Sequence, residues 1–292
     1  MLAKVICCLV LAGSVCAALS EDTITYRIEV MGDTIYIGEP IIVRCKLINN
    51  SDHDMAILAY HGPSLLRFDF SQFYLYDQNN EKEYEYGVWV HTSLIRPPDK
   101  FLLAPKDSVY YYIVLSWGGF LFLKYEEVTP EYYKIRSTYL SSESNVDSFY
   151  AEIMPANEKA LFEQVGTLVD EFWSWPEGGG SESNDEIRKQ LPKIIEKKKS
   201  VIIPFCYYMY YMLWRTKFVD ESKLESYVKE FFESYPDSPL AEKFAFDLYR
   251  YYAWYKKDIN KGKSIVLEAL KKYPDNLDGY LYLGLKSKKE IK

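Results

Sequence analysis

The apolar residues of this chain change period once, near its middle, and that change limits what it can fold into. Up to about Ile153 they mostly alternate with polar residues, and turn residues recur between short runs. From Pro155 onward they fall at helical spacing. The sequence therefore predicts an α+β chain of two domains. An antiparallel β-sandwich is expected over residues 21–154 and an α-helical stack over 155–292, each separately packed.

A short leader precedes both. Lys4 supplies a positive start, residues 5–12 form an apolar run, and residues 13–18 are rich in small side chains. That order predicts a signal peptide over residues 1–18, with cleavage after Ala17 or Ala18 behind Val15-Cys16-Ala17. The apolar run is shorter than the ~20 residues of a spanning helix, and no later stretch is long enough, so no transmembrane span is expected in the mature chain. The expected location is outside the cytoplasm: periplasmic, extracellular or attached to the cell envelope. A lipoprotein signal with lipid on Cys16 is the alternative, against which Val15 stands where a small residue is expected.

Loss of the leader removes three of five cysteines and leaves Cys45 and Cys206, one in each half. Two cysteines make no disulfide framework. Cys45 shares a strand face with Ile41, Val43 and Leu47, so it is expected to be a small buried hydrophobe with a free thiol. An interdomain Cys45–Cys206 bridge is the alternative.

The net charge of −7 argues against nucleic acid as a partner and against an anionic membrane. Lys197-Lys198-Lys199 is too short for a binding arm. The chain carries 28 tyrosines and only three histidines. Tyrosine serves both cores and recognition surfaces.

In the first half, strands are expected around residues 25–30, 34–37, 41–48, 55–60, 73–76, 84–90, 109–115, 133–139 and 149–154. Asp77-Gln78-Asn79-Asn80-Glu81 reads as a hairpin loop. Tyr36-Ile37-Gly38-Glu39-Pro40-Ile41, followed by Leu47-Ile48-Asn49-Asn50-Ser51, resembles the opening of bacterial immunoglobulin-like modules. Leu103-Ala104-Pro105-Lys106-Asp107-Ser108 resembles a turn of the same modules, with Lys106 in place of their usual glycine. The resemblance implies an immunoglobulin-like β-sandwich, with Tyr133 as a tyrosine corner whose hydroxyl bonds back to the backbone. It implies little about function.

In the second half, residues 156–173 form an amphipathic helical pattern. Residues 177–183 read as a loop, and a further helix over 186–199 is expected to be kinked or divided by Pro192. Residues 204–216 are apolar nearly all round, as in a buried helix. Leu224, Val228, Phe231 and Pro236 recur as Gly262, Val266, Ala269 and Pro274, and Tyr-Pro-Asp marks the same turn twice, 38 residues apart. With Tyr280, Leu283 and Gly284 after the second turn, the pattern resembles tetratricopeptide repeats (TPR). That resemblance implies stacked antiparallel hairpins with Gly262, Ala269 and Gly284 at close helix contacts. It also implies a lengthened loop near Lys256-Lys257-Asp258, because the period exceeds the usual ~34 residues.

No spacing among His53, His61 and His91, the cysteines or the carboxylates matches a catalytic or metal-ligating motif. No catalytic, cofactor-binding or metal residue is assigned and no cofactor is expected. The expected function is that of a non-enzymatic exported scaffold that binds a protein or peptide partner through its helical repeats. The candidate partner-binding residues are Tyr249, Tyr252, Trp254 and Tyr255, although the burial statistics of aromatic residues favour such rings as core between helices. The alternatives are a glycan-binding or envelope-associated protein, and an accessory or inhibitor module for a secreted enzyme.

Overall fold

The computed structural model describes residues 24–59, 71–85, 99–115, 128–139, 142–173, 181–197, 200–213 and 220–291. The leader, His61, His91, residues 86–90 and residues 177–180 lie outside the described residues. The fold is α+β with largely antiparallel sheets.

Eleven strands form among the described residues: β1 (Ile24–Val30), β2 (Thr34–Tyr36), β3 (Ile41–Asn49), β4 (Met55–Ala59), β5 (Ser71–Tyr76), β6 (Glu83–Glu85), β7 (Asp99–Leu103), β8 (Ser108–Leu115), β9 (Tyr132–Tyr139), β10 (Ser142–Glu143) and β11 (Asp147–Glu152). One sheet runs β1-β3-β8 and a second β2-β11-β9-β5-β6, with β10 beside β9; β4 and β7 make a separate pair. Among the described strands only β2 and β11 pair in parallel, and isolated parallel bridges join Leu102 to Ser287 and Tyr110 to Asn276. Neither β7 nor β10 was expected from the sequence.

Alternation decides which side of each strand is inside. Along β3, Ile41, Val43, Cys45 and Leu47 are fully buried, and the ladder sets Cys45 opposite Ile28 on one side and Tyr111 on the other. These residues share one apolar cluster with Phe73, Leu75, Ile135 and Phe149 of the second sheet. Each such side chain contributes about 1.5–3 kcal/mol on burial. The Tyr26 hydroxyl crosses between the sheets and donates to Ser137 Oγ at 2.9 Å. Cys45 and Cys206 are both buried free thiols, so the interdomain bridge does not form.

Two turn residues explain themselves. Lys106 has φ of +60°, the left-handed conformation that glycine adopts without cost, in the turn where a glycine was anticipated. Tyr133 sits at the start of β9 with its hydroxyl 3.3 Å from both the backbone nitrogen and the backbone oxygen of Thr129.

The helices are α1 (Ala156–Trp173), α2 (Ser181–Ile195), α3 (Ile203–Met212), α4 (Glu221–Ser234), α5 (Pro239–Arg250), α6 (Ile259–Lys272) and α7 (Leu277–Tyr282). Pro192 lies inside α2 without ending it. In α3 every residue except Pro204 is buried, matching its uniformly apolar sequence.

The 38-residue repeat extends to the caps. Asp220 accepts from the Lys223 N–H at the start of α4, and Asp258 from the Lys261 N–H at the start of α6. Ser238 and Asn276 cap α5 and α7 in the same way. Each such cap is worth about 1 kcal/mol. Tyr235 and Tyr273 end α4 and α6 with matching backbone angles, each donating its N–H to the carbonyl four residues back at 2.8 Å.

Two expectations about this repeat are corrected. The extra length is not a longer loop: α5 continues into a π-helical turn over Tyr251–Tyr255, which absorbs residues inside the helix. Gly284 is not at a close contact, for a Cβ there would meet nothing within 4 Å. Its φ of +72° makes it a helix-ending glycine instead. The tight contact is at Gly279, where a Cβ would lie 2.6 Å from Leu270 Cδ2 and from Phe246 Cε1. Gly262 does sit close, 3.1 Å from the Tyr249 ring by the same measure, and Ala269 is buried.

The expected separate packing of the halves is also corrected. The cluster inside the sheets continues through Phe246, Val266, Leu270, Leu277 and Tyr280 of the last helices. The Phe101 and Tyr280 rings meet at 5.4 Å between centroids. Apolar side chains face outward from the strands here, because Ile42 and Val114 on the outer face of β3 and β8 pack against the helical core. The chain after α6 seals the joint. Tyr110 N–H donates to Asp275 O at 2.9 Å and Leu102 N–H to Lys286 O at 2.6 Å. The Lys288 ammonium reaches Asp107 and Asp275 carboxylates at 2.7 and 2.6 Å.

Candidate functional site

Beside this joint the two halves part to leave a cleft of about 450 Å³. Its first wall is Glu39 and Pro40 of the Gly38-Glu39-Pro40 turn, with Ile35 and Ile42 of the flanking strands. The turn is fixed from both ends: Glu39 N–H donates to Tyr36 O at 2.8 Å, and Tyr36 N–H donates to Glu39 Oε2 at 3.2 Å. Gly38, with φ of +102°, supplies the bend. The opposite wall comes from the link into α3, with Val201, Pro204 and Phe205. The floor is the first Tyr-Pro-Asp turn, Tyr235-Pro236-Asp237, with Pro239 and Leu240 beyond it.

The lining is apolar and rigid, with four prolines whose backbones are already restricted. Its only charged side chains among the described residues are Glu39 and Asp237, and Ser200, Ser234 and Ser238 add hydroxyls. Burial pushes the Glu39 carboxyl up to about 7, against the pull of the Tyr36 N–H. A carboxyl poised there donates a hydrogen bond below neutrality and accepts one above it. A perturbed carboxyl in an apolar cleft at the junction of two units is the usual mark of a binding site. The sequence showed both turns but carried no sign that they face each other.

The four aromatic residues singled out in the sequence do not make one exposed surface. Tyr249 is buried and stacks on Tyr282 at 5.2 Å. Tyr252 is half-buried, with the Lys261 ammonium 4.1 Å above its ring. Trp254 lies under the Arg250 guanidinium at 5.2 Å, and Tyr255 stacks on Tyr251 at 5.5 Å. These rings serve as packing between and around the helices.

Two buried carboxylates are structural rather than cleft groups. Asp247 accepts from the Tyr208 and Tyr282 hydroxyls at 2.7 and 2.9 Å and pairs with Lys243 at 3.2 Å. Glu242 accepts from Asn276 Nδ2 at 2.9 Å and from Tyr112. His53 lies in the turn after β3, where its carbonyl accepts from Asn49 and Ser51. Among the described residues no cluster of His, Cys, Asp and Glu is placed to hold a metal ion, and no helix is long and apolar enough to cross a membrane.

The chain matches no protein-family model and no curated protein. Among solved structures it is similar to the alkylpurine DNA glycosylase AlkC of Pseudomonas fluorescens, with 8% identity, 44% of this chain and 30% of that one covered, and a TM-score of 0.28. It is also similar to a β-glucosidase of Erythrobacter marinus, with 14% identity, 45% and 15% covered, and a TM-score of 0.28. A β-glucosidase of Listeria innocua gives 14% identity, 45% and 16% covered, and a TM-score of 0.26. The chain thus spans less than a third of each of these structures, and similarity at that level assigns neither fold family nor activity.

Proposed function

We propose that this chain is an exported, non-enzymatic binding scaffold that holds an extended peptide segment of a partner protein in the cleft between its halves. The observation that carries this reading is the cleft itself: about 450 Å³, walled by prolines and apolar side chains and bordered by hydroxyls. A volume of that size suits a few side chains, and walls that are already rigid lose little entropy on binding. The first half is an immunoglobulin-like sandwich in this reading, supported by the backbone-bonded Tyr133 and the left-handed Lys106. The second half is a tetratricopeptide-like stack, supported by the paired caps and paired Tyr-Pro-Asp turns. The partner meets the stack at its first such turn, not on the aromatic stripe.

Panning a random linear peptide library on the native protein tests this. Enriched peptides should lose about tenfold or more in affinity to Val201→Arg, because that side chain lines the cleft and is 50% exposed. Leu267→Arg, 42% exposed on α6 and away from the cleft, should leave affinity unchanged. Absence of enrichment, or binding indifferent to Val201→Arg, would count against the reading.

A further inference from the structure

The solvent-facing side of the second sheet carries a feature that the cleft does not use. Along β9 the inward residues Tyr133, Ile135, Ser137 and Tyr139 are buried, so Tyr132, Lys134 and Arg136 point outward. Strand pairing sets Tyr150 beside Tyr132, Tyr74 beside Arg136, and Tyr76 beside Lys134. Tyr132 is 56% exposed and meets Tyr150 edge-on at 5.1 Å. Arg136 lies over the rings of Tyr74 and Tyr76, 4.9 and 5.3 Å from their centroids.

The polar groups among these rings are held in place by one another. Arg136 pairs with Glu83 at 3.6 Å and with Glu143 at 3.4 Å. The Tyr76 hydroxyl donates to Glu83 at 3.1 Å, and the Tyr74 hydroxyl donates to Gln72 Oε1 at 2.8 Å. Lys134 reaches Asn80 Oδ1 at 3.3 Å. The strip from Tyr132 to Arg136 is about 13 Å long at the usual rise of a strand, more than one sugar ring.

We infer that this face binds a neutral glycan chain, with the Tyr132–Tyr150 pair under the apolar face of one sugar ring and the Arg136–Glu83–Gln72 group bonding hydroxyls of a neighbouring ring of the same chain. The chemistry selects that class of ligand. A pyranose ring offers a C–H face to an exposed aromatic ring and hydroxyls around its edge. Those hydroxyls can both donate and accept, which matches carboxylate, amide and guanidinium groups side by side. Lys134 and Arg136 stand among Glu83, Glu85 and Glu143, so the patch carries no strong charge of one sign, and a charged partner would have to break Arg136 from Glu83 and Glu143 to reach the Tyr74 and Tyr76 rings beneath it. A neutral polyhydroxyl adds bonds to that arrangement without disturbing it. The groups stand on paired strands over a packed core, so little ordering remains to be done on binding.

Electrophoresis of the native protein through gels cast separately with laminarin, xylan, galactomannan, hydroxyethyl-cellulose and soluble starch tests the inference. Retardation is expected in at least one. Tyr132→Ala should weaken that retention by about tenfold or more, whereas Tyr132→Phe, which keeps the ring face, should stay within about threefold of the native protein. Arg136→Ala should weaken it as well, with unchanged melting for Tyr132→Ala showing that the fold is intact. Unaltered mobility in every gel would overturn the inference, as would retardation that survives Tyr132→Ala. Retardation confined to a dextran sulfate gel would overturn it too, by showing that charge drives the binding.

Discussion

The Tyr112 hydroxyl on β8 donates to Glu242 Oε2 on α5 at 3.1 Å, joining positions 130 residues apart. Glu242 also accepts from Asn276, the cap of α7, so one buried carboxylate ties a strand and two helices together. Removing it strands several buried donors. Glu242→Ala should cost about 2–4 kcal/mol and Tyr112→Phe about 1 kcal/mol. Urea unfolding checks this. Because the halves share a core, far-UV circular dichroism and tyrosine fluorescence should report one coincident transition. Two separated transitions would show that the halves unfold independently.

Gly279 and Gly284 should fail for different reasons. Gly279→Ala pushes a methyl group against Leu270 and Phe246, both buried, and should cost about 1–3 kcal/mol. Trimming Leu270 to Ala should recover part of that loss in a double-mutant cycle. Gly284→Ala has open space around it and should cost about 1 kcal/mol through its left-handed backbone. It should show no coupling to Leu270. Equal coupling for both glycines would contradict the distinction.

Glu39 gives the stability a pH dependence with a definite sign. Its folded carboxyl keeps its proton up to about pH 7, whereas the unfolded chain releases it near 4.5. Between those values the folded protein binds more protons, so stability falls as pH rises from 4.5 through 7 and stays lower above that. Asp237, the other charged side chain among the described residues lining the cleft, is not a positive group that would oppose this. The contribution is roughly 1–3 kcal/mol after allowance for partial exposure. Glu39→Gln should abolish this part of the slope and be at least as stable as the native protein at pH 8. Parallel slopes for the two proteins in thermal melts would refute the assignment.

Neither cysteine should react while the protein is folded. Cys45 is fully buried between the sheets, and burial raises the Cys206 thiol well above its ordinary range, where the reactive thiolate is scarce. A chromogenic disulfide reagent should modify both thiols only at the rate of unfolding and both together in urea. Rapid release from native protein would show local opening around one of them.

Much of the secondary structure was legible because burial on one side leaves a period. Residues 43–48 and 133–139 alternate, 109–115 form a continuous apolar run after a turn, and the buried α3 is apolar all round. The strand β7 escaped because Asp99–Leu103 presents only two inward residues, Phe101 and Leu103, too few for a period. Packing between the halves escaped for another reason. Ile42 and Val114 occupy the outward positions of strands whose inner faces are also apolar, and a sequence does not say what covers the second face. The cleft shares this limit: Glu39 and Pro236 read as turn residues separately, and only the tertiary fold makes them neighbours. Spacing likewise cannot tell a glycine that admits a neighbour from one that ends a helix, which is why Gly279 was passed over for Gly284.

The seal made by residues 275–288 has a consequence for synthesis. Its partners Leu102, Asp107 and Tyr110 leave the ribosome some 165–185 residues earlier. At ~5–20 residues per second, the Leu102 and Tyr110 N–H groups wait roughly 10–40 s before the carbonyls of Lys286 and Asp275 exist to receive them. During that interval Phe101, fully buried in the finished fold, lacks the Tyr280 ring it packs against. A vectorially made chain of this design therefore needs a holding factor, or an unfolded passage, until its final residues arrive.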